Sequence, residues 1–432
     1  MTDGLTFGNK IPSNSKKKDA IVIGIIGIVL ISGLIYSYSI FTPIVDSDLP
    51  TINILVGGEF DRDIYTDCFF RLEDSKSGER KSVDSKIKLR GFTAADWAKK
   101  GYRLEFDKEI SLLGMRKDDD WLLLAMYLDF PRMRIKLALD LWNSLNKYDP
   151  YAISPESRYV ELYINGNYKG LYLLVEKNDR RLFGFDDAQN NVNSSFIFQA
   201  KIYSNLKVYN PEKWEQDWPN TYDGIEIMDE IMGDLINFIY ESSDEDFYNE
   251  SHGIFSKLDK TNVIDHLLFN FYINHRDYWH RNYFFVRNSH PSKIFFFPWD
   301  YDACFGQYGW LLDPIDDVPG FKGGCYLYKR LMNNSAFCED LKERWEFLRE
   351  RIFNKKFLMG LLDEIYEQIE SILEIEMTIW KPRTVDEDPG SSWPEKLIYS
   401  TKEFNLEEYV NALYDFIPKR LKFCDDYFSN LT

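Results

Sequence analysis

An α+β fold of two lobes, strands first and helices after, is what this sequence predicts, with one membrane-crossing helix ahead of them. Three observations carry that expectation. Strand-like runs fill residues 50–176 and include one Asn-Gly hairpin turn. Apolar residues at helical spacing dominate after about residue 223. Residues 20–40 form an apolar run without a charged side chain.

Residues 1–19, rich in Ser, Asn and Lys, read as a disordered cytoplasmic stub. Residues 20–42 are expected to form a transmembrane helix, because the run matches the thickness of a bilayer. Lys16, Lys17 and Lys18 precede it while Asp46 and Asp48 follow. That asymmetry keeps the N-terminus cytoplasmic and sends the remainder to a cell surface or lumen, as a single-pass membrane protein. A cleaved signal peptide is the alternative, disfavoured because the run exceeds a usual apolar core and no A-x-A site follows.

The stretch 50–176 is expected as an N-terminal, β-rich lobe. Residues 52–56 and 68–72 read as strands, and 86–90 pairs with 102–106 around a loop of small residues. Met133, Leu137, Leu141 and Leu145 step by four, which argues for an amphipathic helix over 128–145. Residues 159–164 and 168–175 flank Asn165-Gly166, a pair that supplies the positive φ angles of a type I′ turn.

The stretch 177–432 is expected as a mainly helical C-terminal lobe. Near 183–223 it carries an irregular, Asn-, Asp- and Pro-bearing insertion. Val263, Ile264, Leu267, Leu268 and Phe271 mark a helix that starts at Asp259 or Thr261. A hairpin follows over 283–287 and 293–297, then helices around 341–352, 357–374 and 405–428.

A formal net charge of −18 argues against nucleic acid as a partner, since phosphate backbones are bound through Lys- and Arg-rich surfaces. Basic polypeptides are tolerated better than anionic ones. The five cysteines show no C-x-x-C pair and no zinc spacing, and the odd count leaves one thiol unpaired in an oxidising compartment. Sequons at Asn193, Asn249, Asn333 and Asn430 are glycosylation acceptors only in a eukaryotic secretory route. His266, His275, His280 and His290 crowd one region without a known metal spacing.

Chemistry concentrates in Asn274-His275-Arg276-Asp277-Tyr278-Trp279-His280-Arg281-Asn282 and in Phe297-Pro298-Trp299-Asp300-Tyr301-Asp302. The first contains H-R-D-x-x-x-x-N, and the second ends a hairpin on aspartates. Phosphoryl transfer needs this set: a carboxylate to orient the attacking hydroxyl, and hard oxygen ligands for the metal that offsets phosphate charge. Asp277 fits the first role; Asn282, Asp300 and Asp302 fit the second. The order of sheet with helix, helices, loop, hairpin, Asp and more helices is that of a divergent protein-kinase-like fold. The bland alternative is surface acids paired with Arg276 or Arg281, and turn aspartates after a buried strand.

Several further blocks resemble the CotH-type atypical protein kinases, the spore coat protein H family. They are Ile87-Lys88-Leu89-Arg90-Gly91 with Lys99-Lys100-Gly101-Tyr102-Arg103-Leu104; Trp121-Leu122-Leu123-Leu124-Ala125 with Asp129 and Arg134; and 160–172, which ends Asn165-Gly166-Asn167-Tyr168-Lys169-Gly170-Leu171-Tyr172. With the Asp277 and Asp300 motifs they span about residues 50–350. The resemblance implies transfer of the ATP γ-phosphate to Ser or Thr of protein substrates with Mg²⁺ or Mn²⁺. It implies Asp277 as the catalytic acid, Asn282 and Asp300 as metal ligands, and Arg90 with Lys100 or Arg103 at the nucleotide phosphates. Glu176 falls where an interlobe hinge would meet adenine.

The chain departs from ordinary kinases in having no G-x-G-x-x-G, and Asp96 in the loop after Gly91 would oppose phosphates. A catalytically silent surface or coat protein is therefore the second expectation. A metal-dependent hydrolase built on the aspartates is the third.

Overall fold

The computed structural model describes residues 47–91, 94–185, 188–276, 282–318, 325–387 and 395–431. Contacts divide the chain at residue 46, and everything from Ser47 onward forms one compact unit. The membrane helix expected at 20–42 lies outside the described residues.

Seven strands come first: β1 (Thr51–Val56), β2 (Thr66–Glu73), β3 (Arg80–Arg90), β4 (Gly101–Ser111), β5 (Lys117–Leu124), β6 (Ser157–Ile164) and β7 (Asn167–Glu176). Alternation turns Ile52, Ile54 and Val56 of β1 inward, where they meet Phe70, Leu72, Ile87, Leu104, Trp121, Val160, Leu162 and Leu174. Asn165 and Gly166 take φ of 50° and 75°, so the β6–β7 turn has the left-handed geometry its sequence demands.

Two expectations require correction here. The first strands do not form the open sheet of a two-lobed, protein-kinase-like fold. They close into a barrel in the order β1-β2-β3-β4-β5-β7-β6, with β6 returning parallel to β1 in the register Thr51↔Glu161 to Ile54↔Ile164. Closure pairs the backbone groups that an open sheet would leave at its edges. Second, among the described residues no helix is long and apolar enough to cross a membrane. The transmembrane helix and the single-pass membrane placement drawn from it are accordingly set aside.

Between β5 and β6 the chain makes a tight turn, with Met126 and Arg132 at φ of 53° and 61°, before helix α1 (Arg134–Leu145). The expected helix over 128–145 thus loses residues 128–133 to this irregular segment. Strands β8 (Phe196–Ala200) and β9 (Trp214–Trp218) arise within the stretch read as irregular. They join β10 (Tyr283–Arg287) and β11 (Phe295–Pro298) in a sheet of order β11-β10-β8-β9. The longer helices after β9 are α2 (Met228–Glu241), α3 (Lys260–Tyr272), α4 (Ser335–Arg349), α5 (Lys355–Trp380) and α6 (Leu406–Ser429). Asp259 caps α3 by accepting from the Asn262 amide at 3.0 Å.

Barrel and helices are joined by a buried charge cluster. Glu376 of α5 pairs with Lys99 Nζ at 2.6 Å and Arg132 Nε at 2.9 Å, and its other oxygen accepts from the Leu171 amide at 2.8 Å. All three side chains are fully buried. Gly170 makes the approach feasible: its φ is 94°, and a Cβ there would lie 2.3 Å from Glu376 Oε2. Burial works to raise the Glu376 pKa, but Lys99 and Arg132 together hold it below the ordinary carboxylate value.

Glu376→Gln should therefore lose about 3–5 kcal/mol of stability in denaturant unfolding, because Lys99 and Arg132 would remain buried without their anion. The lowered native pKa also fixes a sign. The stability from Glu376 is full above its unfolded value of about 4.3 and is lost as pH falls through the folded value. The Gln variant should lack this part of the acid-side loss, which a pH series of melts would detect.

Candidate functional site

Four elements meet at one cavity of about 400 Å³. Its walls are Arg90 and Gly91 at the end of β3, the turn Leu124 to Tyr127 after β5, Gln199 to Ile202 at the end of β8, and Asn282 with Trp299 to Asp302 around the β10–β11 hairpin. Trp97, Ile135, Leu139 and Tyr308 add apolar surface. The size and the mixture of aromatic walls with few convergent charges suit a small organic ligand.

The hairpin is held in place from below. Asn262 of α3 accepts from the Phe296 amide at 2.7 Å and donates to the Phe296 carbonyl at 3.3 Å, fixing β11 against the helix. The Trp299 amide donates to the Asn282 carbonyl at 3.0 Å, which brings the start of β10 and the end of β11 together. Asp300 then adopts φ of 63°, rare for a residue with a side chain. Its carbonyl accepts from His275 Nε2 at 3.0 Å and Asn282 Nδ2 at 3.5 Å, while its carboxylate is left at the exposed side of the turn. Burial pulls the His275 imidazole down to about 4, against the Asp300 carbonyl, and its two ring nitrogens lie 3.0 Å from that carbonyl and 2.9 Å from Asn270 Oδ1.

Charge is unevenly balanced here. Asp302 is pushed up to about 8, by burial first and by Asp300 second, with Arg90 opposing. Asp129 raises it further and Arg134 lowers it. Arg134 reaches this layer by pairing with Asp129 at 3.4 Å and hydrogen bonding to Gln307. Asp300 adds to the negative charge at Asp302 while, among the described residues, Arg90 and Arg134 oppose it, an arrangement that favours an added positive charge. Asn282 offers an amide oxygen as a third hard ligand. Among the described residues no three His, Cys, Asp or Glu side chains group as a metal cluster. A divalent cation held here would accordingly rely on two carboxylates, an amide and its own waters, which suits Mg²⁺.

The residues singled out in the sequence are distributed as follows. Arg90, Asn282, Asp300 and Asp302 line the one cavity. Arg103 lines an adjoining cavity of about 390 Å³ that shares Arg90 and Trp299, and it is held by Asp120 through bonds of 3.0 and 3.1 Å. Lys100 donates to the Ala95 carbonyl at 2.8 Å and lines neither. Glu176 is buried at the end of β7, accepting from the Arg116 and Glu156 amides at 2.8 and 3.0 Å, and also lines neither. Asp277 lies outside the described residues. Asp96 is drawn to Arg62 at 2.8 Å.

Sequence reasoning gave no role to Gln199, Lys201 and Glu215, which line the cavity from β8 and β9. The apolar run Phe196-Ile197-Phe198 was the available signal for that strand. Nor did it mark Glu376, a lone acid on an otherwise apolar helical stripe.

The chain matches the family model described as CotH kinase protein over residues 87–424, and it belongs to that family. It is similar to the inner spore coat protein H of Bacillus subtilis (strain 168), at 24% identity over 297 residues, which cover 67% of this chain and 78% of that relative.

If the aspartate pair takes a divalent cation, Mn²⁺ or Mg²⁺ should raise the melting temperature by mass action. Asp300→Asn and Asp302→Asn should each diminish that rise. An undiminished rise in both variants would put the ion elsewhere.

Proposed function

We propose that the chain is an atypical protein kinase that transfers the γ-phosphate of ATP to Ser or Thr of a protein substrate. The observation that carries this reading is the convergence of Asn282, Asp300, Asp302 and Arg90 on the lining of one ligand-sized cavity. Membership of a family described as kinases supports it. By itself, the net charge of −18 tolerates basic surroundings at the acceptor hydroxyl better than anionic ones.

In this mechanism Asp277 orients the acceptor hydroxyl and takes its proton as the oxygen bonds to the γ-phosphorus. The bond from that phosphorus to the β,γ-bridging oxygen breaks, and ADP leaves with the electron pair. Asn282, Asp300 and Asp302 would hold Mg²⁺ or Mn²⁺, which when bound offsets negative charge on the phosphates. Arg90, whose charge acts on Asp300 and Asp302, supplies a cation to the same cavity, and it takes over part of the grip that a glycine-rich loop gives elsewhere. Trp299 lies under the Arg90 guanidinium, 5.9 Å from its ring centre, and limits where that cation can go.

The test is incorporation of labelled phosphate from ATP into the protein itself or a generic acceptor, with Mn²⁺ present. Asp277→Asn should lower the rate by about 100-fold or more, the usual size of a positioned acid–base contribution. Phosphate released without any acceptor would indicate a hydrolase instead. No incorporation, together with no ATP-dependent rise in melting temperature, would leave a catalytically silent protein that uses the same fold for assembly.

A further inference from the structure

We infer that the cavity adjoining the one lined by Asn282, Asp300 and Asp302 takes an anionic side chain of the acceptor protein, a carboxylate or a phosphorylated residue near the hydroxyl that is modified. This rests on the phosphoryl-transfer reading and adds to it the class of acceptor. The adjoining cavity measures about 390 Å³. Among the described residues, Arg62, Lys88, Arg90, Arg103 and Lys177 bring positive charge to its lining, against the carboxylates of Glu215 and Asp217. The net charge of −18 is a property of the whole chain, and this lining reverses its sign locally.

Strand pairing brings the cations together. In the antiparallel pair of β3 and β4, Lys88 stands directly opposite Arg103, and Arg90 lies two positions further along β3 on the same face. Like charges directly opposite on one face destabilise a sheet. Part of the excess is answered. Asp120 holds Arg103 and lies 3.9 Å from Lys177, and Asp96 meets Arg62 at 2.8 Å. Glu215 is drawn to Lys201 at 3.2 Å, while the Asp217 charge acts on Lys177 and Arg103. Lys88 and Arg90 enter no ion pair among the described residues, and each lies against an aromatic ring instead. Lys88 Nζ is 4.6 Å from the centre of the Tyr65 ring, and the Arg90 guanidinium is 5.9 Å from that of Trp299. A ring face orients a cation without neutralising it. Arg90 has the charges of Asp300 and Asp302 to act on, so Lys88 is the cation left to meet an incoming anion.

The nucleotide, on the same reading, fills the first cavity. That cavity has the oxygen ligands for a metal and the apolar surface of Trp97, Ile135, Leu139 and Tyr308 for a base, and none of these lines the second. Arg103, expected at the nucleotide phosphates, lines only the second. Both cavities share Arg90 and Trp299, so a group seated at Lys88 is a close neighbour of the transferred phosphate. An extended chain advances about 3.3 Å per residue, which puts the anion within a few positions of the acceptor hydroxyl.

The experiment gives the full chain ATP, Mn²⁺ and peptides of one sequence in which the residues flanking a single Ser are Glu, phosphoserine, Ala or Lys. Wild type should use the Glu or the phosphoserine peptide with a kcat/KM about 10-fold or more above the Lys peptide, by a margin that shrinks in salt. Whichever anion is preferred names the group the cavity takes. Lys88→Gln should lose most of the preference through the KM for peptide, with the KM for ATP unchanged. Lys88→Arg should keep the preference and Lys88→Glu should reverse it, once melting temperatures show all three variants folded. Equal use of the four peptides, or a preference for Lys, would overturn the inference. So would a raised KM for ATP in Lys88→Gln with the peptide preference intact, which would put the nucleotide's own phosphates in the second cavity. Fluorescence anisotropy of labelled peptides without ATP reads binding apart from turnover. The phosphoserine or Glu peptide should bind wild type more tightly than the Lys peptide and lose that advantage in Lys88→Gln; equal binding to wild type would overturn the inference. A wild type that transfers no phosphate would instead defeat the kinase reading, with the anisotropy result still deciding whether the cavity takes an anion.

Discussion

A single buried carboxylate organises the path from scaffold to site. Glu376 of the long helix α5 is held by Lys99, which precedes β4, and by Arg132, which ends the turn between β5 and α1. Arg132 in turn donates to the carbonyls of Met126 and Asp129, at 2.8 and 2.9 Å, inside that turn. Ala125, Met126 and Tyr127 of the same turn form one wall of the cavity. An ion group this deeply buried is weak evidence for net stability, because desolvation offsets much of the attraction. Its geometric effect is plain: it specifies one depth and one angle at which the helix meets β7, and so one shape for the cavity wall.

The opposite wall depends on neutral bonds rather than charge. Asn262 locks β11 to α3, and His275 clamps the Asp300 carbonyl from the loop after that helix. The carboxylates of Asp300 and Asp302 are therefore presented by a backbone with little freedom, one residue of which sits at positive φ. Placing like charges on a rigid turn costs stability that a folded chain retains when the arrangement serves binding. Arg90 and Arg134 reduce that cost at Asp302 without cancelling it. Family membership and this charge pattern agree in pointing to phosphate chemistry, and the agreement gives the kinase proposal its weight.

Local signals in the chain were read well where a few neighbouring residues decide the outcome. The Asn165-Gly166 turn, the Asp259 cap and the apolar stripe from Val263 to Phe271 depend on contacts within a few positions, and each appears as its pattern implies. Asn282, Asp300 and Asp302, named from motif spacing, and Arg90, named from the family resemblance, share the lining of one cavity. Strand β5 and the pair β8–β9 were not read as strands. Lys117-Asp118-Asp119-Asp120 and Trp214-Glu215-Gln216-Asp217 carry charges that obscure alternation, and some of those charges meet partners distant in sequence, as Asp118 meets Arg181 and Asp120 meets Arg103.

By itself the sequence determined the mixed α+β character, the hairpin turns, the helical tail and the family, since propensity, turn chemistry and motif spacing are short-range properties. Tertiary structure alone decided that β6 returns to β1 and closes a barrel, a pairing between residues more than a hundred positions apart. It decided too that Glu176 and Lys100 are occupied away from the cavity while Gln199 and Glu215 line it. The reason is common to all of these: which backbone edge or buried charge a segment meets depends on the packing of distant segments, and no local pattern encodes that encounter.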